Sequence, residues 1–116
     1  KLRTLKAVQT IAGEIDERFE TWFDALEYMY VEAIKIDFDV AIIGCGAYGL
    51  PLAAKLKAAG KQVIHMGGVT QILFGIKGRR WVDNPRAGIA YNDAWVYPKG
   101  SETPKNSEAV ENHCYW

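Results

Sequence analysis

Residues 44–49 read Gly-Cys-Gly-Ala-Tyr-Gly, the spacing GxGxxG. Glycines at that spacing bear on chemistry when a strand precedes them and a helix follows. Gly44 permits a tight turn, and Gly46 lets an anion reach the backbone without meeting a Cβ. Gly49, next to Tyr48, lets helix and strand approach closely. The helix start then offers N–H groups without intrahelical partners and the positive end of a dipole, a combination that suits a phosphate. A second pair, Gly67-Gly68, falls where the next strand would end. It brings more open backbone to the same carboxyl edge, where open α/β sheets bind ligands.

Polar residues follow: Thr70, Gln71, Lys77, Arg79 and Arg80, then Trp81. Residues 77–80 hold the one concentrated run of positive charge, and forked guanidinium groups match a diphosphate well. The expected ligand-binding set is therefore Gly44, Gly46, Tyr48, Gly49, Gly67, Gly68, Thr70, Gln71, Lys77, Arg79 and Arg80. The plain alternatives are a tight turn with no ligand and a basic loop whose arginines pair with acids elsewhere. A nicotinamide or flavin dinucleotide is not expected. Those sites want an acidic residue at the end of the second strand, and here the strand ends His65-Met66-Gly67-Gly68.

Other reactive side chains carry less. His65 reads as a core residue of a buried strand, and His113 lies in the tail; neither has metal-ligand partners at useful spacing. Asp37-Phe38-Asp39 precedes the first strand, at the edge opposite the glycine turns, and reads as solvated. No metal site is expected, no Ser/His/Asp or Cys/His constellation assembles, and the catalytic residues are unknown. Cys45 and Cys114 fit no metal or CxxC spacing and read as free thiols in a reducing compartment, the cytoplasm.

The elements that must position these groups follow from periodicity. Leu2, Leu5, Val8, Ile11, Ala12 and Ile15 recur as on an amphipathic helix. Residues 19–34 give a stronger helix with a wide apolar face bearing Phe19, Trp22, Phe23, Leu26 and Met29. Residues 40–43 and 63–66 read as buried parallel strands, with a helix from Pro51 to about Gly60 between them. Thr70 is placed to cap a short helix, residues 94–97 are a candidate third strand, and residues 104–111 a short helix. The two terminal aromatics, Tyr115 and Trp116, are expected to dock onto a surface.

The fold class expected is α/β: a small Rossmann-like domain over residues 1–116, with about three mostly parallel strands covered by helices and with amino-terminal helices. Lysine plus arginine equals aspartate plus glutamate at 14 each, so no net field draws in nucleic acid or an anionic membrane. No apolar run approaches the ~20 residues that cross a bilayer. Four Trp, six Tyr and four Phe are too many for a solvated coil. A small parallel sheet with open edges and faces to cover predicts a homodimer or higher oligomer.

The stretches FDVAIIGCGAYGLPLAAKLKAAGKQVIHMGG and VTQILFGIKGRRW, with the terminal CYW, resemble the carboxyl-terminal half of bacterial proteins with a GT-D-type glycosyltransferase fold, over roughly residues 20–116. The resemblance implies a Rossmann-type α/β fold and transfer of a sugar from a nucleotide-sugar donor. Gly44, Gly46, Gly49, Gly67 and Gly68 would border the donor, with Thr70, Gln71, Lys77 and Arg79 around it. It places the acidic DxE metal motif in an amino-terminal half outside these residues, so a divalent metal enters only if that half supplies the ligands. Glu14-Ile15-Asp16 has the reverse order. The expected function is a nucleotide-sugar or phosphate-binding domain related to glycosyltransferases, inactive or very weak alone. The alternative is a non-catalytic oligomeric interaction module without a small-molecule ligand.

Overall fold

The computed structural model describes residues 1–84, 86 and 88–116. The chain is α/β and contains a two-stranded parallel sheet. It divides into two compact units, residues 1–10 with 15–67, and residues 11–14 with 68–116.

The first unit is built on a strand–helix–strand motif. Helix α1 (Trp22–Ile34) starts at Thr21, whose hydroxyl accepts the Asp24 N–H (3.2 Å) while the Asp24 carboxylate accepts the Thr21 N–H (2.9 Å). This reciprocal box satisfies two donors that a helix start otherwise leaves unpaired. Strand β1 (Val40–Ile43) leads through the glycine turn into helix α2 (Gly49–Ala58), and strand β2 (Gln62–His65) returns parallel to β1. Gly60, at φ +81°, turns the chain between α2 and β2. The core is Val8, Ala25, Leu26, Met29, Ala33, Ile43, Tyr48, Leu52 and Leu56, all in this unit, with α1 packed on α2. Met29 and Leu56 are its largest fully buried side chains.

The sheet corrects the expectation of strands buried on both faces. Ala41, Ile43 and Val63 face the core, but Val40 (43%), Ile42 (41%) and Ile64 (51%) are exposed. Register explains this: Ile42 pairs with Ile64, and side chains alternate, so one apolar face is covered by helices and the other is not. The amino-terminal helix over residues 2–15 is also corrected. Residues 1–10 carry no helix, and Val8 anchors them, its side chain in the core and its N–H directed at Met29 Sδ (3.4 Å). A short helix needs tertiary burial of a whole stripe; here Leu2, Leu5 and Ile15 stay exposed.

The second unit holds helices α3 (Val69–Leu73) and α4 (Arg79–Val82) and several 3-10 turns. Val96, in the candidate third strand, makes one parallel bridge to Ile76: Lys77 N–H donates to the Val96 carbonyl (2.7 Å), and Val96 N–H to the Gly75 carbonyl (3.0 Å). The helix expected over 104–111 is reduced to a 3-10 turn at Ser107–Ala109. Thr70 does not cap α3: Gly68 holds that position, and the Thr70 hydroxyl is buried inside the helix without a hydrogen-bond partner. Among the described residues, no helix is long and apolar enough to cross a membrane.

Candidate functional site: the glycine edge and the tail-bound arginines

Gly44, Gly46, Tyr48, Gly49 and Gly67 belong to the first unit. The parallel register closes with Ile43 opposite His65, so both strands end at one edge, and Met66 N–H still donates to the Ile43 carbonyl (2.9 Å). The chain leaves that edge through Gly44 on one strand and Gly67 on the other. Gly46 and Gly67 both sit at φ +55°, and a Cβ built on either would meet nothing within 4 Å. These are backbone positions that L side chains adopt at a cost and that open into free space.

Gly46 begins a 3-10 turn (Gly46–Tyr48) that runs directly into α2, so the N–H groups of this turn head a continuous helical segment. Lys55 and Lys57 lie in its last turn, in step with the helix dipole, and no acidic side chain occupies the positive end at its first turn. Tyr48 points inward. It is 4% exposed, its ring stacks on Trp22 (4.6 Å, 6° between planes), and its hydroxyl shares a 2.7 Å hydrogen bond with Thr10. Its side chain thereby clamps the turn to the core.

Gly49 has a different reason. A Cβ there would lie 2.3 Å from His65 Nε2, so the imidazole at the end of β2 occupies the space a side chain would need. His65 is exposed, which corrects its expected place in a buried core. Its position at the head of α2 follows from strand register, which the spacing of residues alone does not reveal. Burial pushes the Cys45 thiol up to about 11, so it stays protonated and unreactive at neutral pH.

Gly68, Thr70, Gln71, Lys77, Arg79 and Arg80 belong to the second unit. Gln71 uses both ends of its amide: Nε2 donates to the Tyr115 carbonyl (2.7 Å), and Oε1 accepts the Trp81 Nε1–H (3.3 Å). Arg80 donates to the Glu111 carboxylate and lies over the Tyr115 ring (4.6 Å), and its N–H donates to the Cys114 carbonyl (2.8 Å). Arg79 reaches the Asn112 carbonyl (3.3 Å) and Asp83 (3.6 Å). Lys77 sits over the rings of Tyr97 (5.4 Å) and Tyr91 (6.0 Å). Arg79 and Arg80 thus hold residues 111–115, and Tyr115 and Trp116 dock as expected.

The structure also assembles a Ser–His pair that the sequence reading did not: Ser107 Oγ lies 2.5 Å from His113 Nδ1. Ser107 is 4% exposed, so the bond ties the tail down more readily than it serves an incoming substrate. Among the described residues, no group of three His, Cys, Asp or Glu could hold a metal ion. No protein-family model, curated protein or solved structure matches the chain.

Proposed function

We propose that the first unit binds the phosphate groups of a nucleotide-sugar or related phosphorylated compound at the glycine edge, as part of a Rossmann-like domain related to GT-D-type glycosyltransferases. The observation that carries this reading is the pair Gly46 and Gly67. Both are left-handed, both open into free space, and both follow parallel strands that end together. A packing requirement accounts for Gly49 through His65, but no neighbour accounts for Gly46 or Gly67. Backbone N–H groups at a strand-to-helix turn bind anions without a dedicated cation. The wider three-stranded Rossmann-like sheet belongs to the same proposal; sugar transfer by these residues alone is absent or very weak in this reading, since the metal ligands would come from outside them.

Calorimetric titration with UDP, UDP-sugars and NAD tests it. UDP compounds should bind and NAD should not, since His65 stands where an acidic ribose ligand would be. Gly46→Asn is the informative variant. Asparagine tolerates the left-handed region, so the fold should survive while a side chain fills the approach. Unchanged UDP affinity in Gly46→Asn would remove the glycine edge from consideration.

A further inference from the structure

We propose that residues 111–116 form a latch over an anion site made by Arg79 and Arg80, with Glu111 standing where an oxygen of a diphosphate would bind. This rests on the reading of the ligand as a phosphate compound and adds how the chain itself controls access to its arginines.

Three observations support it. The first is chemical. The Arg80 guanidinium already holds an anion, the Glu111 carboxylate, while Tyr115 covers its face. Arg79 next to it is directed at the backbone carbonyl of Asn112 and, through an exposed pair, at the Asp83 carboxylate 3.6 Å away. A neutral carbonyl is a poor partner for a guanidinium compared with a phosphate oxygen.

The second is conformational. Glu111, Asn112 and His113 have φ of +46°, +53° and +65°. Three consecutive residues other than glycine in the left-handed region are strained, since L-residues visit it as single residues and not in runs. The docked tail therefore carries a cost that release would recover.

The third is the nature of the fastenings. The Arg80 and Glu111 side chains are 34% and 59% exposed, and exposed ion pairs hold weakly. The remaining ties are single hydrogen bonds: Gln71 to the Tyr115 carbonyl, Arg80 N–H to the Cys114 carbonyl, Trp116 Nε1–H to the Glu102 carbonyl (3.1 Å), and Ser107 with His113. Segments of this kind open at the low end of the stability scale. A diphosphate offers more charge and several acceptor oxygens to two adjacent forks, so it outcompetes the exposed Glu111 and Asp83 carboxylates and one carbonyl.

The test uses the whole chain and inorganic pyrophosphate. Calorimetry should show Glu111→Gln binding at least tenfold more tightly than wild type, because the competing carboxylate is gone. In wild type, hydrogen exchange at the Arg80 amide should accelerate at least tenfold on saturation, since that N–H loses the Cys114 carbonyl when the latch opens. This second readout needs no variant and does not depend on how Glu111→Gln folds. Arg80→Gln should weaken pyrophosphate binding at least tenfold. Equal affinities in wild type and Glu111→Gln, or binding with unchanged Arg80 exchange, would overturn the latch and leave the phosphate reading intact. Pyrophosphate affinity unchanged by Arg80→Gln would equally overturn it, and weaker residual binding belongs to the glycine edge and is recognised by its loss in Gly46→Asn. Failure of pyrophosphate to bind either protein sinks the latch, while the glycine edge is judged separately by UDP and Gly46→Asn.

Discussion

Two glycines of one motif make different demands on the backbone. At Gly46 the demand is conformational: φ is +55° and the space beyond is open, so Gly46→Ala should lose about 1–2 kcal/mol through backbone strain. At Gly49 the demand is steric and comes from one side chain, His65. We expect Gly49→Ala to be neutral or destabilising in wild type, yet to stabilise a His65→Ala background by up to about 1 kcal/mol through helix propensity. A double-mutant cycle by urea denaturation measures the coupling, and additivity would contradict the assignment. Cys45 gives a pH prediction. Its thiol is raised by burial from an ordinary 9.0 to about 11 in the folded state, so the folded form holds that proton more tightly than the unfolded chain. The associated stability is present below pH 9 and is lost as pH rises from 9 to 11. Cys45→Ala should flatten that part of the denaturation-midpoint profile, and an unaltered slope would show that the thiol is not responsible. The left-handed turn at Gly46 was legible from the motif and its flanks, but the reason for Gly49 was not, because strand register brings His65 against it. The partner of Arg80 was not, because Glu111 lies 31 residues away and only the tertiary fold brings it near.

At the scale of elements, periodicity served where an apolar stripe had something to cover. Residues 22–34 became α1 because Ala25, Leu26, Met29 and Ala33 are buried in one core. The same kind of spacing at Leu2, Leu5 and Val8 produced no helix, since Val8 alone found a buried place. The expected helix over 19–34 began too early: Thr21 and Asp24 form a capping box that starts α1 at Trp22. Thr21→Ala should cost about 1 kcal/mol, seen as a lower denaturation midpoint with an unchanged slope. An effect below a few tenths of a kcal/mol would mean that the box contributes little beyond what water supplies. The elements beyond residue 68 are short and set by turns and side-chain bonds, such as Gln71 with Trp81 and Tyr115. No period announces such bonds, which is why the helix over 104–111 and the capping role of Thr70 were misread.

At the scale of the whole molecule, the α/β class and the parallel pairing of two strands around a crossover helix were legible from residues 40–66. The exposure of one sheet face was not, since hydropathy marks Val40, Ile42 and Ile64 as apolar without saying which face is covered. Exposed apolar faces on parallel sheets call for cover, and we expect self-association through this one. Light scattering should give a mass above 13.0 kDa that grows with concentration, and Ile42→Glu should lower it. A constant mass of 13.0 kDa in wild type would contradict the expectation. The account's central claim, however, is that the backbone at Gly46 and Gly67 receives phosphate. The most direct measurement is a UDP titration followed by amide NMR of the folded chain. The account predicts that the largest saturable shifts fall on the N–H signals of Gly46, Ala47 and Gly67, with α1 unmoved. Saturable UDP binding that leaves these amides in place, or no shift anywhere at millimolar UDP, would contradict it.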